Sequence, residues 1–352
     1  MLDDLKKISE IDRSGMLEDV EKFPDQIKET KEIVQKTSLE KLYKIDDIII
    51  TGMGGSAISG DILQTFLSNK IDIPIFVNRR YDLPRWTNKN TLVFVQSYSG
   101  NTEETLSAFK HAYQKKCQII AITSGGKLQE HCKKREIPYI QIPGGFQPRA
   151  ATAYLLFSSL FALKKTGIFK KIPQSEIDET IDLAEEIRNR NKKDVETDKN
   201  YAKRIATKIH GKIPQIYGWD IYNPIALRWR QQFNENSKVI ARCDEVSECT
   251  HNDLVGWSSN PEASKNFSCI LFRDDKRESV YLKKRLDFMK KLYNDVAANV
   301  IEISIKGEKR LSKMMYAMYI GDFISCYLAI LRKTDPTPVD IIDELKEELS
   351  KI

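Results

Sequence analysis

Between residues 46 and 143 the chain carries five short β-rich runs, "DDIIITG", "DIPIFVN", "NTLVFVQS", "CQIIAIT" and "IPYIQIP", separated by helical stretches. Strands this short and this apolar must be covered on both faces, so the alternation predicts a parallel sheet with helices on either side. "ATAYLLFSSLFALKKTGI" reads as an apolar helix closing this half. After Gly211 a second series follows, "IPQIYGW", "SKVIA", "SCILFR" and "NVIEISI", again with helices between. The expected fold is therefore α/β: two domains over 45–170 and 211–352, each a doubly wound, mainly parallel sheet flanked by helices. Ligands of such sheets bind beyond the carboxyl ends of the strands, where the strand order switches.

The remaining segments read as helical. Residues 1–44 are charged, with apolar positions at Met16, Val20, Phe23 and Ile27, and are expected to pack as helices on the first domain. Residues 171–210 read as an exposed helical connector, since Gly and Pro are nearly absent from "EIRNRNKKDVETDKNYAKRIATK".

Bulk properties bound the partners. A length of 352 residues exceeds what one core usually serves. The net charge of +6 is a small excess of 56 basic over 50 acidic residues, and the "KKR" clusters at 133–135 and 283–285 read as solvated helix faces. Without a dense basic block interleaved with aromatics, nucleic acid is not an expected partner. The charged N-terminus does not read as a signal peptide, and no apolar stretch is read as long enough to span a bilayer, so no membrane partner is expected. Six cysteines lack C-x-x-C spacing and read as reduced thiols, which points to a soluble, cytoplasmic protein.

The first run leads into "TGMGGSAISG", with four glycines and two serines in ten residues. Bare backbone amides at a strand-to-helix turn can approach an anion that side chains would block. "GMGGSA" fits G-x-G-x-x-A, a fingerprint shared by dinucleotide turns, by other phosphate turns and by tight turns with no ligand. The third run ends in "SYSGNTEETL", where Ser97, Ser99 and Thr102 place three hydroxyls within six residues. Asn101 with Glu104 forms a capping box by spacing, but that leaves Ser97 and Ser99 unexplained. "AITSGGKL" repeats the hydroxyl–glycine chemistry after the next strand. Arg79 and Arg80 follow the second strand where a 2′-phosphate would be read, so an NADP-binding Rossmann-type oxidoreductase is an alternative. A small monophosphate gripped by several hydroxyl loops accounts for more of these residues. The P-loop is excluded, because no Gly-Lys pair is followed by Ser or Thr with the required upstream glycine.

"GMGGSAISGD", "SYSGNTEET", "PGGFQPRAA", "FNENSK" with a histidine sixteen residues after its glutamate, and "DPTPVDIIDELK" occur in that order between residues 51 and 346. Together they resemble the bifunctional phosphoglucose/phosphomannose isomerases, small members of the phosphoglucose isomerase superfamily built from two sugar isomerase (SIS) domains. The resemblance implies reversible interconversion of glucose 6-phosphate or mannose 6-phosphate with fructose 6-phosphate, through ring opening and a cis-enediol(ate). No metal or nucleotide cofactor is implied. Glu235 resembles the base that moves the proton between C1 and C2, and His251 the ring-opening residue, contributed across a homodimer interface. Arg149 resembles the group facing the enediolate oxygens, and Lys346 a C-terminal lysine that assists ring opening. Ser56, Ser97, Ser99 and Thr102, with the amides of Gly54 and Gly55, are expected to hold the phosphate, which requires Glu103 and Glu104 to point away. Cys243, Cys249 and His251 offer a metal-ligand set by residue type, but C-x5-C-x-H matches no standard zinc spacing. A non-catalytic SIS module that senses sugar phosphates is a further alternative, though it needs neither Glu235, His251 and Arg149 together nor a second α/β domain.

Overall fold

The computed structural model describes residues 1–42, 44–169, 172–297, 299–349 and 351. The chain divides into two compact units. The first comprises Lys22–Glu185 and Gly307–Tyr316; the second comprises Met1–Glu21, Glu186–Lys306 and Ala317–Ile352.

The first unit is built on strands β1 (Asp47–Thr51), β2 (Ile75–Asn78), β3 (Thr91–Gln96), β4 (Gln118–Thr123) and β5 (Tyr139–Gln141). All are parallel, in the order β2-β1-β3-β4-β5. Each lies inside one of the five β-rich runs. Central strand β3 is buried throughout, as a sheet covered on both faces requires. One face meets helices Glu103–Gln114 and Gly126–Arg135, where Ala108, Phe109, Leu128 and Cys132 pack with Ile49, Val93, Val95 and Ala121. On the other face helices Gly54–Leu67, Thr152–Lys165 and Phe23–Lys36 stack, and Gln96 donates to Ser159 Oγ at 2.7 Å.

The second unit repeats the plan with β6 (Ile213–Gly218), β7 (Arg242–Glu245), β8 (Phe267–Arg273) and β9 (Asn299–Ser304), all parallel in the order β7-β6-β8-β9. Strand order therefore switches at β1/β3 in one sheet and at β6/β8 in the other.

Four features differ from the sequence reading. "SKVIA" is not a strand: Lys238 takes a left-handed φ of 52°, Ser237 Oγ donates to Ser325 O at 2.6 Å, and Val239 N returns to Phe233 O at 3.2 Å. The segment is a helix exit, and the edge strand forms in the polar "RCDE" that follows. The connector is helical over Gln174–Asn191 and Tyr201–Ile209 but not simply exposed, since Ile187, Ile205 and Ile209 are buried. Buried Lys203 there donates to the carbonyls of Lys193 and Val195 at 2.9 and 2.7 Å. Residues read together as 1–44 fall in different units, with Met1–Glu21 in the second and Lys22 onward in the first. Finally, helix Arg310–Leu331 is long and apolar enough to cross a membrane by length and composition, contrary to the sequence reading. Its apolar window is 94% buried, so its hydrophobicity belongs to protein packing.

Candidate active site

The glycine-rich turn and the hydroxyl cluster meet at the carboxyl ends of β1 and β3. Helix Gly54–Leu67 starts immediately beyond β1, and its N-cap Met53 offers no side-chain acceptor to the first amides. A 14-residue helix therefore presents the positive end of its dipole and uncapped N–H groups at the strand-order switch. Ser56 is buried on its first turn.

Arg149 sits beside this helix start. A side chain at Gly55 would lie 2.9 Å from Pro148 O and 3.4 Å from Arg149 Cα, so only glycine lets the "PGGFQPR" segment come this close. Arg149 belongs to the 3-10 turn Pro148–Ala150, is 3% exposed, and reaches Gln147 Oε1 at 3.4 Å. It is thus a buried arginine rather than a mobile loop cation.

In "SYSGNT", Ser97 Oγ is 3.0 Å from Thr102 Oγ1 and accepts from Gly100 N at 3.1 Å. Ser99 is exposed and its Oγ accepts from Asn101 N at 3.3 Å. The capping box does not form. Asn101 Oδ1 instead accepts from Lys127 N at 3.1 Å, on the next helix, and the N-cap of Glu103–Gln114 is Thr102, whose hydroxyl is turned toward Ser97. Gly100 has φ 70°, and a Cβ there would fall 1.9 Å from Gly125 O, so the second and third glycine turns are packed backbone against backbone. Glu103 is drawn aside by a hydrogen bond from Tyr81, and its carboxylate pushes the Tyr81 hydroxyl up to about 12. Arg79, the candidate reader of a 2′-phosphate, instead pairs with Asp61 at the carboxyl side of the first helix. Burial raises Asp61, and the guanidinium opposes that rise.

Tyr98, between Ser97 and Ser99, carries no sequence signal of its role. Its hydroxyl donates to Pro143 O at 3.0 Å and accepts from Phe146 N at 2.9 Å. Its backbone oxygen accepts from Ser124 Oγ at 2.6 Å. Through its hydroxyl and its carbonyl, one residue therefore ties together the loops after β3, β4 and β5, the last of which carries Arg149. No local periodicity signals such a bond; it spans 45 and 48 residues of sequence.

Glu235, His251 and Lys346 belong to the second unit. Glu235 is the final residue of helix Asn223–Glu235, half-buried, and its carbonyl accepts from Lys238 Nζ at 2.5 Å, which also reaches Pro336 O at 3.1 Å. This helix leaves the carboxyl end of β6 and runs back for 13 residues, about 20 Å, so Glu235 lies toward the amino ends of the strands. His251 is exposed in the turn after helix Val246–Cys249, beyond the carboxyl end of β7. The topology of the second unit thus sets Glu235 toward the amino ends of its strands and His251 beyond their carboxyl ends. Lys346 lies on helix Asp340–Leu349, which has no buried residue, and its Nζ pairs with Asp343 at 2.7 Å. Among the described residues no His, Cys, Asp and Glu side chains converge as a metal site, and Cys249 instead turns its thiol to Val246 O at 3.6 Å.

Comparison with known proteins agrees with two α/β domains of one kind. Residues 41–142 match the SIS domain, and residues 198–349 match the bacterial phospho-glucose isomerase C-terminal SIS domain. The chain is 42% identical over 342 residues to a bifunctional phosphoglucose/phosphomannose isomerase of Caldicellulosiruptor bescii, covering 96% of this chain and 99% of that one. It is 37% identical to the enzyme of the same name from Aquifex aeolicus, over 86% of this chain and 90% of that one. Among solved structures, the C-terminal domain of glucosamine-fructose-6-phosphate aminotransferase from Francisella tularensis superposes with a TM-score of 0.69 at 16% identity, covering 92% of this chain and 98% of that one. That likeness concerns the fold alone. The paired parallel sheets, the hydroxyl turns at the first switch point and the relatives lead to one conclusion: this chain is an isomerase with two SIS domains and belongs to the bifunctional phosphoglucose/phosphomannose isomerases.

Proposed function

We propose that the chain interconverts glucose 6-phosphate and mannose 6-phosphate with fructose 6-phosphate, by ring opening followed by proton transfer between C1 and C2 through a cis-enediol(ate). The first SIS domain, over 45–170, binds the phosphate; the second, over 211–352, carries the proton-transfer residues. The observation that carries this reading is the cradle at the β1/β3 switch, where hydroxyls, uncapped helix amides and buried Arg149 meet.

In this reading Ser56, Ser97, Ser99 and Thr102 donate to phosphate oxygens, with the Gly54 and Gly55 amides adding the helix dipole. Arg149 faces the oxygens on which negative charge develops, where a buried guanidinium needs no reorganisation. Glu235 takes the proton from one carbon and returns it to the other. His251 exchanges protons with the ring oxygen and the C1 hydroxyl, since imidazole donates and accepts near neutrality. Lys346 assists ring opening by exchanging Asp343 for substrate.

The assembly is a homodimer in which His251 completes the site of the partner subunit. Two observations support this. Glu235 and His251 lie toward opposite ends of the strands of their own sheet, and exposed Val255, Tyr281 and Phe288 leave an apolar surface on the helices Asp253–Ser259 and Val280–Val296 that follow His251. A cytoplasmic setting belongs to the same reading, supported by six cysteines that stand as free thiols.

Incubation of the purified protein with fructose 6-phosphate in D2O, without nucleotide or added metal, tests the reaction. Both aldose 6-phosphates are expected, with deuterium at C2 in the fraction of turnovers in which the proton on Glu235 exchanges with solvent before its return; no turnover contradicts the proposal. The dimer is tested by mixing two inactive variants, Glu235→Gln and His251→Ala. Random reassortment of a two-fold dimer should restore about a quarter of the wild-type activity if histidine acts across the interface. If it acts within its own chain, the mixture stays inactive.

A further inference from the structure

Helix Asn223–Glu235 is held by an unusual set of buried polar contacts that the reaction chemistry does not use. Arg228 Nε and Nη2 each donate at 3.3 Å to one oxygen of Asp322, and Gln232 Nε2 donates to the same carboxylate at 2.7 Å. Arg228 is 1% exposed and Asp322 5%. One turn further along helix Arg310–Leu331, Ser325 receives Asn236 Nδ2 on its Oγ at 2.9 Å and Ser237 Oγ on its carbonyl at 2.6 Å. Ser325 Oγ also donates back to Asp322 O at 2.7 Å, linking the two anchors.

Arg228, Gln232 and Glu235 follow the i, i+4, i+7 spacing of one helix face. The anchors grip that face before Glu235 and the backbone turn immediately after it. Gly321 allows the approach: a Cβ there would overlap the Trp229 ring at 2.1 Å, while Trp229 Nε1 donates to Ala317 O at 2.8 Å. A buried ion pair contributes little stability beyond an apolar pair of equal volume, because desolvation offsets the attraction. What it adds is direction. Carboxylate and guanidinium geometry fixes the rotation of a helix about its axis, whereas aliphatic packing tolerates small rotations.

We propose that Asp322 and Ser325 are positioning residues for Glu235, setting the angle at which its carboxylate faces the substrate carbons. This rests on the reading that Glu235 moves the proton, and proton transfer is sensitive to misplacement of the base by an ångström. The phosphate cradle belongs to the first unit, so disturbing these anchors should spare substrate affinity.

The test compares kcat, KM and Tm for the full-length chain as wild type, as Arg228→Met/Asp322→Leu and as Gln232→Met. In the double variant, an apolar pair of similar bulk offsets the lost ion pair, so Tm should fall only by what buried Gln232 loses with its acceptor, while kcat falls about 10- to 100-fold and KM stays within about threefold. Gln232→Met keeps the ion pair and should lower kcat about three- to tenfold. It decides the matter if the double variant does not fold. In a Glu235→Gln background neither change should lower the residual rate further. Wild-type kcat in a folded double variant, or in Gln232→Met where the double variant is unfolded, overturns the positioning role while leaving Glu235 in place. Near-normal turnover in Glu235→Gln alone removes the base, and the positioning role with it.

Discussion

The cradle in the first unit and the Glu235 turn in the second solve opposite problems. In the proposed reading the cradle must admit an anion; it consists of backbone and short hydroxyl side chains beside Arg149, with glycines at positions 55 and 100 where a Cβ would collide. Its rigidity comes from loops bonded to one another, through Tyr98 above all. In the same reading the Glu235 turn must hold one carboxylate still, and it lies at the end of a helix whose Gln232 and Asn236 bond Asp322 and Ser325. Binding can be shared among many weak donors, each dispensable in part. Proton transfer to carbon depends on one group in one place.

That contrast is sharpest in Glu235→Gln. The amide keeps shape and hydrogen bonds but cannot take the proton, so kcat should fall by about 10³-fold with KM within a few fold. Steady-state kinetics on fructose 6-phosphate checks this, and a near-normal rate would show that Glu235 and the cradle are not divided in this way. Next in size is Ser97→Ala with Ser99→Ala. Losing two hydroxyl donors to a charged phosphate should raise KM about 30-fold or more while kcat changes much less. An unchanged KM would move the phosphate away from the β3 turn. The smallest effect is expected from Tyr98→Phe, which removes a hydroxyl engaged with the backbone at Pro143 and Phe146. Freeing Pro143 O and Phe146 N should cost about 1 kcal/mol of stability, seen as a lower Tm, with KM raised by a few fold as the Arg149 segment loosens. An effect on kcat alone would instead tie Tyr98 to the chemistry and blur the comparison.

Periodicity and local chemistry made the first half of this molecule legible. The inner strands β1, β3 and β4 of the first sheet lie in runs recognisable by β-branched and apolar residues, because an inner parallel strand is covered on both faces and polar residues fall mainly at its ends. The edge strand Arg242–Glu245 failed the same test for the converse reason: its residues are polar, and its pairing with β6 comes from its place in the fold, with Gln215 Nε2 donating to Asp244 at 2.8 Å. Asn101 satisfied the local capping pattern, yet bonds an amide 26 residues away.

From the order of its residues alone, this chain was bound to form two parallel sheets and to place glycine and hydroxyl turns at strand ends, since those outcomes depend on neighbours a few positions apart. Which loops touch, which cap is used and what grips Glu235 were decided only on folding. Tyr98 reaches 48 residues along the chain and Gln232 reaches 90, to Asp322. Contacts of that span depend on how helices and strands pack, and a helix or strand motif carries no record of which distant side chain will face it.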